Sequence, residues 1–410
     1  MAEAAKGRDE SSKRKALLPD LTLTGQLNER DNQAYTYSES MGREGRNPVP
    51  GGGPTVNNWG GATERTKLEY EMEMSWSPTD AAGALYKARS AKNDRMKSHY
   101  QRVRKVQKLI EKVDGAFYRM LSLQESVRLA RRLTRLRSEI ASRTEQARRE
   151  KPLTTSSDYE LTQEALITAR KQRSRLVHKL EKQRNILATA MQLSPDYCVD
   201  GGFRVVGKVA PPCYRAKLSE MEMTGVKSRP EAYEAGLNYF NSVNDLKRTM
   251  VKLLPTVKGF WKFNRINSKY YLNKDWREVG VLVDFDLLSW LSKLDDHKGA
   301  KSTAAKTYKE MGSVALAIAS EVRVAALTYF EAVGGLKNAD DSVAWRRRHL
   351  REKQKRHDNS IETKLAVMKA EAALLRQQIE RTNAVGEANA TLAELQAEMG
   401  TSYNEPHPPD

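Results

Sequence analysis

Two cysteines in 410 residues, Cys198 and Cys213, leave room for one disulfide at most. Aromatic residues make up only 7%, while 30% of the chain is charged and the mean hydropathy is −0.70. That is too polar for a compact globule of this length and suits elongated helices with much solvated surface. No run of eighteen apolar residues occurs, so no transmembrane helix is expected. The opening, Met1-Ala2-Glu3-Ala4-Ala5-Lys6, is charged and does not read as a secretory signal peptide. The six histidines (His99, His178, His297, His349, His357, His407) have no metal-ligand spacing with the cysteines. Gly299-Ala300-Lys301-Ser302 resembles the end of a phosphate loop but lacks the upstream glycine and the strand-loop-helix context. No Gly-x-Ser-x-Gly elbow is present. The sequence offers no catalytic residue, metal site or cofactor site, and no enzyme is expected.

The pattern that is present occurs twice. Leu17-Leu18-Pro19-Asp20-Leu21 opens one β-like stretch, and Leu253-Leu254-Pro255-Thr256-Val257 opens another. Trp76 stands 37 residues before Val113, and Phe285 stands 37 before Val322. Met191 and Met399, 208 apart, each close a helical run. A repeat of this length indicates two copies of one structural unit.

Within the first copy, Leu68, Tyr70, Met72, Met74 and Trp76 alternate with Lys67, Glu69, Glu71, Glu73 and Ser75, a strong period-2 signal. Leu21, Leu23, Gly25 and Leu27 alternate with polar residues ahead of it, and residues 31–63 read as a long polar loop between the two strands. Ala81 to Glu150 contains no proline; Val103, Val106, Ile110, Val113, Phe117 and Met120 step by three and four. Leu129, Leu133, Leu136 and Ile140 continue that stripe, which predicts a helix of about 70 residues, about 105 Å long. Lys151-Pro152-Leu153-Thr154 breaks it, and a second helix returns to Met191.

The expected organisation is therefore a first repeat at 1–193, with a β-hairpin at 20–77 and a helical hairpin at 80–193. A linker at 194–228 carries Gly201-Gly202, Pro211-Pro212 and both cysteines. A second repeat at 229–404 has a helix at 230–254, a β-hairpin at 256–286 and a helical hairpin at 287–400. Residues 405–410 read as a disordered tail. The second helical tip is expected near Lys355-Arg356-His357-Asp358-Asn359-Ser360.

Four strands cannot cover their own apolar faces. A small α+β core from two hairpins and helices is one solution. A membrane barrel built from several chains is the other, with apolar residues toward lipid and polar residues toward water. On that second reading Glu69, Glu71, Glu73, Lys258 and Lys262 line a pore. Leu68, Tyr70, Met72, Met74, Val279, Val281 and Val283 then face lipid. The carboxylates alternatively form an ordinary solvated face. The cations at Arg128, Arg131, Arg132, Arg135 and Arg137 read as solvated helix surface, with a nucleic-acid patch as the alternative.

The doubled Leu-Leu-Pro and the aromatic-closed strand Met74-Ser75-Trp76-Ser77-Pro78-Thr79-Asp80 resemble TolC-type outer-membrane efflux proteins. So do Arg229-Pro230-Glu231 and Val279-Gly280-Val281-Leu282-Val283-Asp284-Phe285. The likeness covers residues 15–400. It implies an α+β membrane protein with a duplicated unit of β-hairpin plus long antiparallel helical hairpin. It further implies a homotrimer whose 12-stranded β-barrel lies among outer-membrane lipid and continues as an α-helical barrel in the periplasm. The implied function is a passive exit duct for tripartite efflux or type I secretion, partnered by a periplasmic adaptor and an inner-membrane pump. The family usually has a Gly-Leu turn at the tip, where this chain has Lys151, Pro152, Leu153 and Thr154, the candidate adaptor-docking residues. In an oxidising periplasm Cys198 and Cys213 would form a disulfide worth about 3 kcal/mol, the alternative being two free thiols. The second copy has a helix of about 25 residues before its Leu-Leu-Pro and the first only about 16, so the first copy reads as shortened, with a signal peptide expected upstream.

The alternative function is a cytoplasmic basic coiled-coil scaffold or nucleic-acid-binding protein. It rests on the net charge of +18 and the missing signal. It explains neither strands nor repeat, and nucleic acid is not the expected partner.

Overall fold

The computed structural model describes residues 18–31, 35–38, 58–61, 66–150, 156–193, 203–207, 210–267, 272–359 and 363–403. Strand β1 (Asp20–Glu29) is followed by β2 (Tyr35–Ser38), β3 (Asn58–Gly61) and β4 (Thr66–Trp76). Helices α1 (Pro78–Glu150), α2 (Ser156–Ala190), α3 (Leu218–Ser228) and α4 (Pro230–Lys252) come next. Strands β5 (Thr256–Asn267) and β6 (Asp275–Asp284) and helices α5 (Leu287–Asp358) and α6 (Lys364–Glu398) complete the chain. The repetition is visible in the elements themselves. Helices α1 and α5 have 73 and 72 residues, and α2 and α6 have 35 each.

Two elements fall in segments read as loop or linker. Strands β2 and β3 pair with each other inside the long polar loop. Helix α3 lies within the stretch assigned to the linker and buries Met221 and Gly225. A third correction concerns α5. It contains an 18-residue window of mean hydropathy 1.4 with no more than two charged residues, long and apolar enough by composition to cross a membrane. Ile318, Val322, Ala325 and Ala326 of α5 are buried in a protein core, and Glu321 is ion-paired. These residues account for only part of that apolarity, since 22% of the window is buried in the single chain.

The chain divides into two compact units, Met1–Met96 with Leu237–Tyr308, and Lys97–Gly236 with Lys309–Asp410. Each draws on both sequence copies. The first contains a four-stranded antiparallel sheet of order β1-β4-β5-β6. Its helical segments meet through polar contacts. Asn93 donates to Asn241 at 2.9 Å, Asn241 donates to Asp94 at 2.9 Å, and Ser242 meets Thr307 at 2.7 Å. The start of α1 follows local rules: Pro78 occupies the first helical position, and Ser77 Oγ accepts from the Asp80 amide at 3.2 Å. Asp286 caps α5 in the same way, accepting from Leu288 and Ser289 at 3.1 Å each.

The second unit is helical. Its largest core joins Met120, Leu133 and Ile140 of α1 to Leu176 and Leu180 of α2 and Leu375 and Ile379 of α6. Another joins Met221 of α3 to Val322 and Ala326 of α5 and Leu395 of α6. Small residues set the spacing. At Gly386 an added β-carbon would overlap Ser122 of α1, and at Gly225 it would stand 2.6 Å from Val322. Gly400 ends α6 with φ +70, and an added β-carbon there would stand 3.0 Å from the Ser228 carbonyl.

Candidate channel wall

The sheet register sorts the residues singled out by sequence onto two faces, because directly opposed residues of an antiparallel pair share a face. Leu21 opposes Met74, Leu23 opposes Met72 and Leu27 opposes Leu68 across β1 and β4. Met72 opposes Phe263 and Met74 opposes Trp261 across β4 and β5. Trp261 opposes Val279, Gly259 opposes Val281 and Val257 opposes Val283 across β5 and β6. Leu68, Tyr70, Met72, Met74, Val279, Val281 and Val283 therefore share one face, apolar except toward the β5–β6 turn, where Arg265, Asp275 and Arg277 stand. Leu23 is 77% exposed and Val279 81%. An apolar face this wet on a single chain requires a cover.

The other face is polar. Thr22 opposes Glu73, Glu73 opposes Lys262, and Lys262 opposes Glu278. The ammonium of Lys262 lies 2.7 Å from Glu71 and 3.1 Å from Glu73, and that of Lys258 lies 3.0 Å from Glu73. Glu69 pairs with Lys67 along the same strand. All five candidate pore residues stand on this face, with Glu71, Glu73, Lys258 and Lys262 in one ion-pair network. Phe260 lies on the same side against Gly280, where an added β-carbon would meet the ring at 2.6 Å. Lys262 sits 5.6 Å over that ring.

Chemically this wall holds opposed carboxylates and ammonium groups. Among the described residues no group of three or more His, Cys, Asp or Glu is placed to hold a metal ion. The arrangement can balance charge along a wet surface, with apolar side chains behind it.

The helical unit contains a buried ionic centre that sequence reading did not single out. Arg229, at the junction of α3 and α4, is 7% exposed. It pairs with Glu231 at 2.9 Å, Glu398 at 2.9 Å and Glu321, while Arg104 pairs with Glu231 at 2.8 Å. Burial opposes the charge on Arg229, but Glu231 and Glu321 outweigh it and raise its pKa. Burial likewise pushes Glu231 up, yet Arg229 and Arg104 hold it below the usual carboxylate range. Glu398 remains raised, because burial there exceeds the pull of Arg229. The local signal was the Arg229-Pro230-Glu231 helix start. Its partners on α1, α5 and α6 lie too far away in sequence to be read.

Lys151, Pro152, Leu153 and Thr154 lie outside the described residues, as does Cys198. Cys213 is an exposed free thiol.

Solved structures with this arrangement exist. The outer membrane protein VceC of Vibrio cholerae matches over 97% of this chain and 90% of its own, with TM-score 0.70 and 12% identity. The open-state MtrE outer membrane channel of Neisseria gonorrhoeae matches over 98% and 84%, with TM-score 0.65 and 14% identity. The CmeC outer membrane channel of Campylobacter jejuni matches over 98% and 83%, with TM-score 0.66 and 10% identity. The chain has the outer-membrane channel fold. The resemblance read from the doubled strand-and-helix unit is thereby borne out as a statement of fold, with little sequence identity behind it. No protein-family model matches the sequence, and neither does any curated protein.

Proposed function

We propose that this protein is an outer-membrane exit duct. Three copies contribute four strands each to a closed 12-stranded barrel, and the long helices continue as a periplasmic tunnel. The observation that carries this reading is the four-stranded sheet with one apolar face, one ion-paired face and two open edges, β1 and β6. Four strands cannot close a barrel with an interior, and unpaired edges are unstable in lipid, so edge-to-edge assembly of several chains answers both requirements. Helix α5 supports association as well, exposing Leu316, Val324 and Leu327 by 75%, 61% and 55%. The duct is passive: substrate is delivered by an inner-membrane pump through a periplasmic adaptor, in tripartite efflux or type I secretion. Glu69, Glu71, Glu73, Lys258 and Lys262 line its lumen, and Lys151 to Thr154 meet the adaptor.

Planar-bilayer recording tests this. The purified protein should give discrete conductance steps. Lys258→Glu together with Lys262→Glu should shift its ion selectivity toward cations, because both substitutions add negative charge to the lumen wall. A protein that inserts without conductance, or a selectivity untouched by four units of charge change, refutes the assignment of that face.

A further inference from the structure

Several arginines in the second half of α1 hold carboxylates. Arg128 pairs with Glu125, Arg132 with Glu371 of α6, Arg143 with Glu139 and Arg149 with Glu145. Arg131 and Arg135 have no such partner among the described residues, but both are exposed, so water solvates them. Arg137 differs from both groups. It is half-buried, yet among the described residues it has neither an ion pair nor a hydrogen bond. By sequence it belongs to one solvated run with Arg128, Arg131, Arg132 and Arg135; the packing separates it from them.

Arg137 lines a cleft of about 500 Å3 formed by α1, α2 and α6. There it shares the space with a second guanidinium, Arg376 of α6, and α2 adds Lys171 and Arg175. Burial first, and the charge of Arg376 second, push the pKa of Arg137 down. Two carboxylates line the same cleft. Glu380 is held by Arg376 at 3.5 Å, and Glu164 is exposed without a pair among the described residues. Four cations against two carboxylates leave an excess of two positive charges. The helices that carry them are fixed, because Leu133 of α1, Leu176 of α2 and Ile379 of α6 belong to one core. The like charges therefore cannot separate by helix movement.

We infer that this cleft binds a small organic phosphate, a phosphomonoester dianion with an apolar body. A phosphomonoester carries about −1.5 to −2 charges at neutral pH, which matches the excess. Guanidinium forks bind phosphate oxygens through paired hydrogen bonds, and Arg137 and Arg376 offer two such forks. The apolar body follows from the rest of the lining: Leu133 and Ala169 of the core, and Leu161, 62% exposed. The volume suits a molecule of ordinary small-ligand size. The site lies wholly within the helical unit and does not depend on the duct reading.

The test is isothermal titration of the full chain, in mild detergent, with 1-naphthyl phosphate. The parent should bind the ester, and Arg137→Gln combined with Arg376→Gln should weaken binding at least about tenfold. Arg131→Gln combined with Arg135→Gln, on the same helix but outside the cleft lining, should leave it unchanged. Thermal melting separates a binding arginine from a structural one. Without ligand, Arg137→Gln should melt at or above the parent temperature, because it removes a half-buried unpaired cation. The ester should raise the melting temperature of the parent and not that of Arg137→Gln. Dihexanoyl phosphatidic acid, offered below its micelle concentration, carries the same headgroup on a lipid body. Tighter binding of it than of the naphthyl ester upholds the site and makes its ligand a lipid, and weaker binding upholds the site and makes its ligand a soluble ester. No ester binding, equal losses from both variant pairs, 1-naphthol binding as tightly as its phosphate, or Arg137→Gln melting below the parent would each overturn the inference.

Discussion

Substituting Gly386 by alanine probes the contact that fixes the spacing of α1 and α6. An added β-carbon there overlaps Ser122 Oγ and Cβ and stands 3.2 Å from the Tyr118 carbonyl oxygen. Backbone on one side and a short side chain on the other leave no flexible end to move, so the helices must separate. Overpacking of this kind costs about 1–3 kcal/mol. Alanine is also the better helix former by about 1 kcal/mol, which offsets part of the cost. An overlap this deep belongs in the upper part of that range, about 2–3 kcal/mol, so the expected net loss is about 1–2 kcal/mol, read as a lower denaturant midpoint in helical circular dichroism of the detergent-solubilised protein. Ser122→Gly removes both overlapping atoms, so the double variant should recover at least about 1 kcal/mol relative to the sum of the single changes. Gly312→Ala is the control: nothing lies within 4 Å of its added β-carbon, and it should not destabilise. If Gly386→Ala is as stable as the parent, or if the two changes are additive, the close approach of α1 and α6 is refuted.

Arg229→Ala leaves Glu321 and Glu398 without their cation and Glu231 with Arg104 alone, at a cost of about 2–3 kcal/mol, discounted because Glu321 is half exposed. The stability deficit should narrow as pH falls from 7 to 5, because protonation relieves the stranded carboxylates; a deficit independent of pH contradicts this account. Arg119 grips Glu387 through two hydrogen bonds of 3.0 and 2.9 Å, and this holds the Glu387 carboxyl below its ordinary range. Its stabilising contribution is therefore complete above the unfolded pKa of about 4.3 and is lost as pH falls through the lower folded value. Glu387→Gln should lower stability at pH 7 and flatten that part of the acid-unfolding profile, whereas an unchanged profile refutes the coupling.

Much of this fold is legible because its elements are long and their periods clean. The alternation from Leu68 to Trp76 could only be a two-faced strand, and the proline-free stretches after Pro78 and Asp286 could only be helices. Helix α3 was missed because its eleven residues follow a Gly- and Pro-rich stretch that dominates local composition. What stabilises it is distant, the core around Met221 formed with α5 and α6. The β2–β3 ribbon was hidden in the same way by the glycine-rich loop that carries it. At the candidate wall, the two faces followed from period 2 alone. The pairing of Lys262 with Glu71 did not, since that register joins residues 191 apart. Arg229 shows the limit most plainly: a helix-start motif identifies the residue, but only packing reveals the carboxylates around it.

The central claim is that three chains share one membrane barrel, and it is tested most directly by the mass of the native assembly. With the protein expressed behind a signal peptide and extracted from outer membranes in mild detergent, native mass spectrometry should find three times the 46.4 kDa of one chain. A soluble 46.4 kDa monomer recovered without detergent would contradict the account.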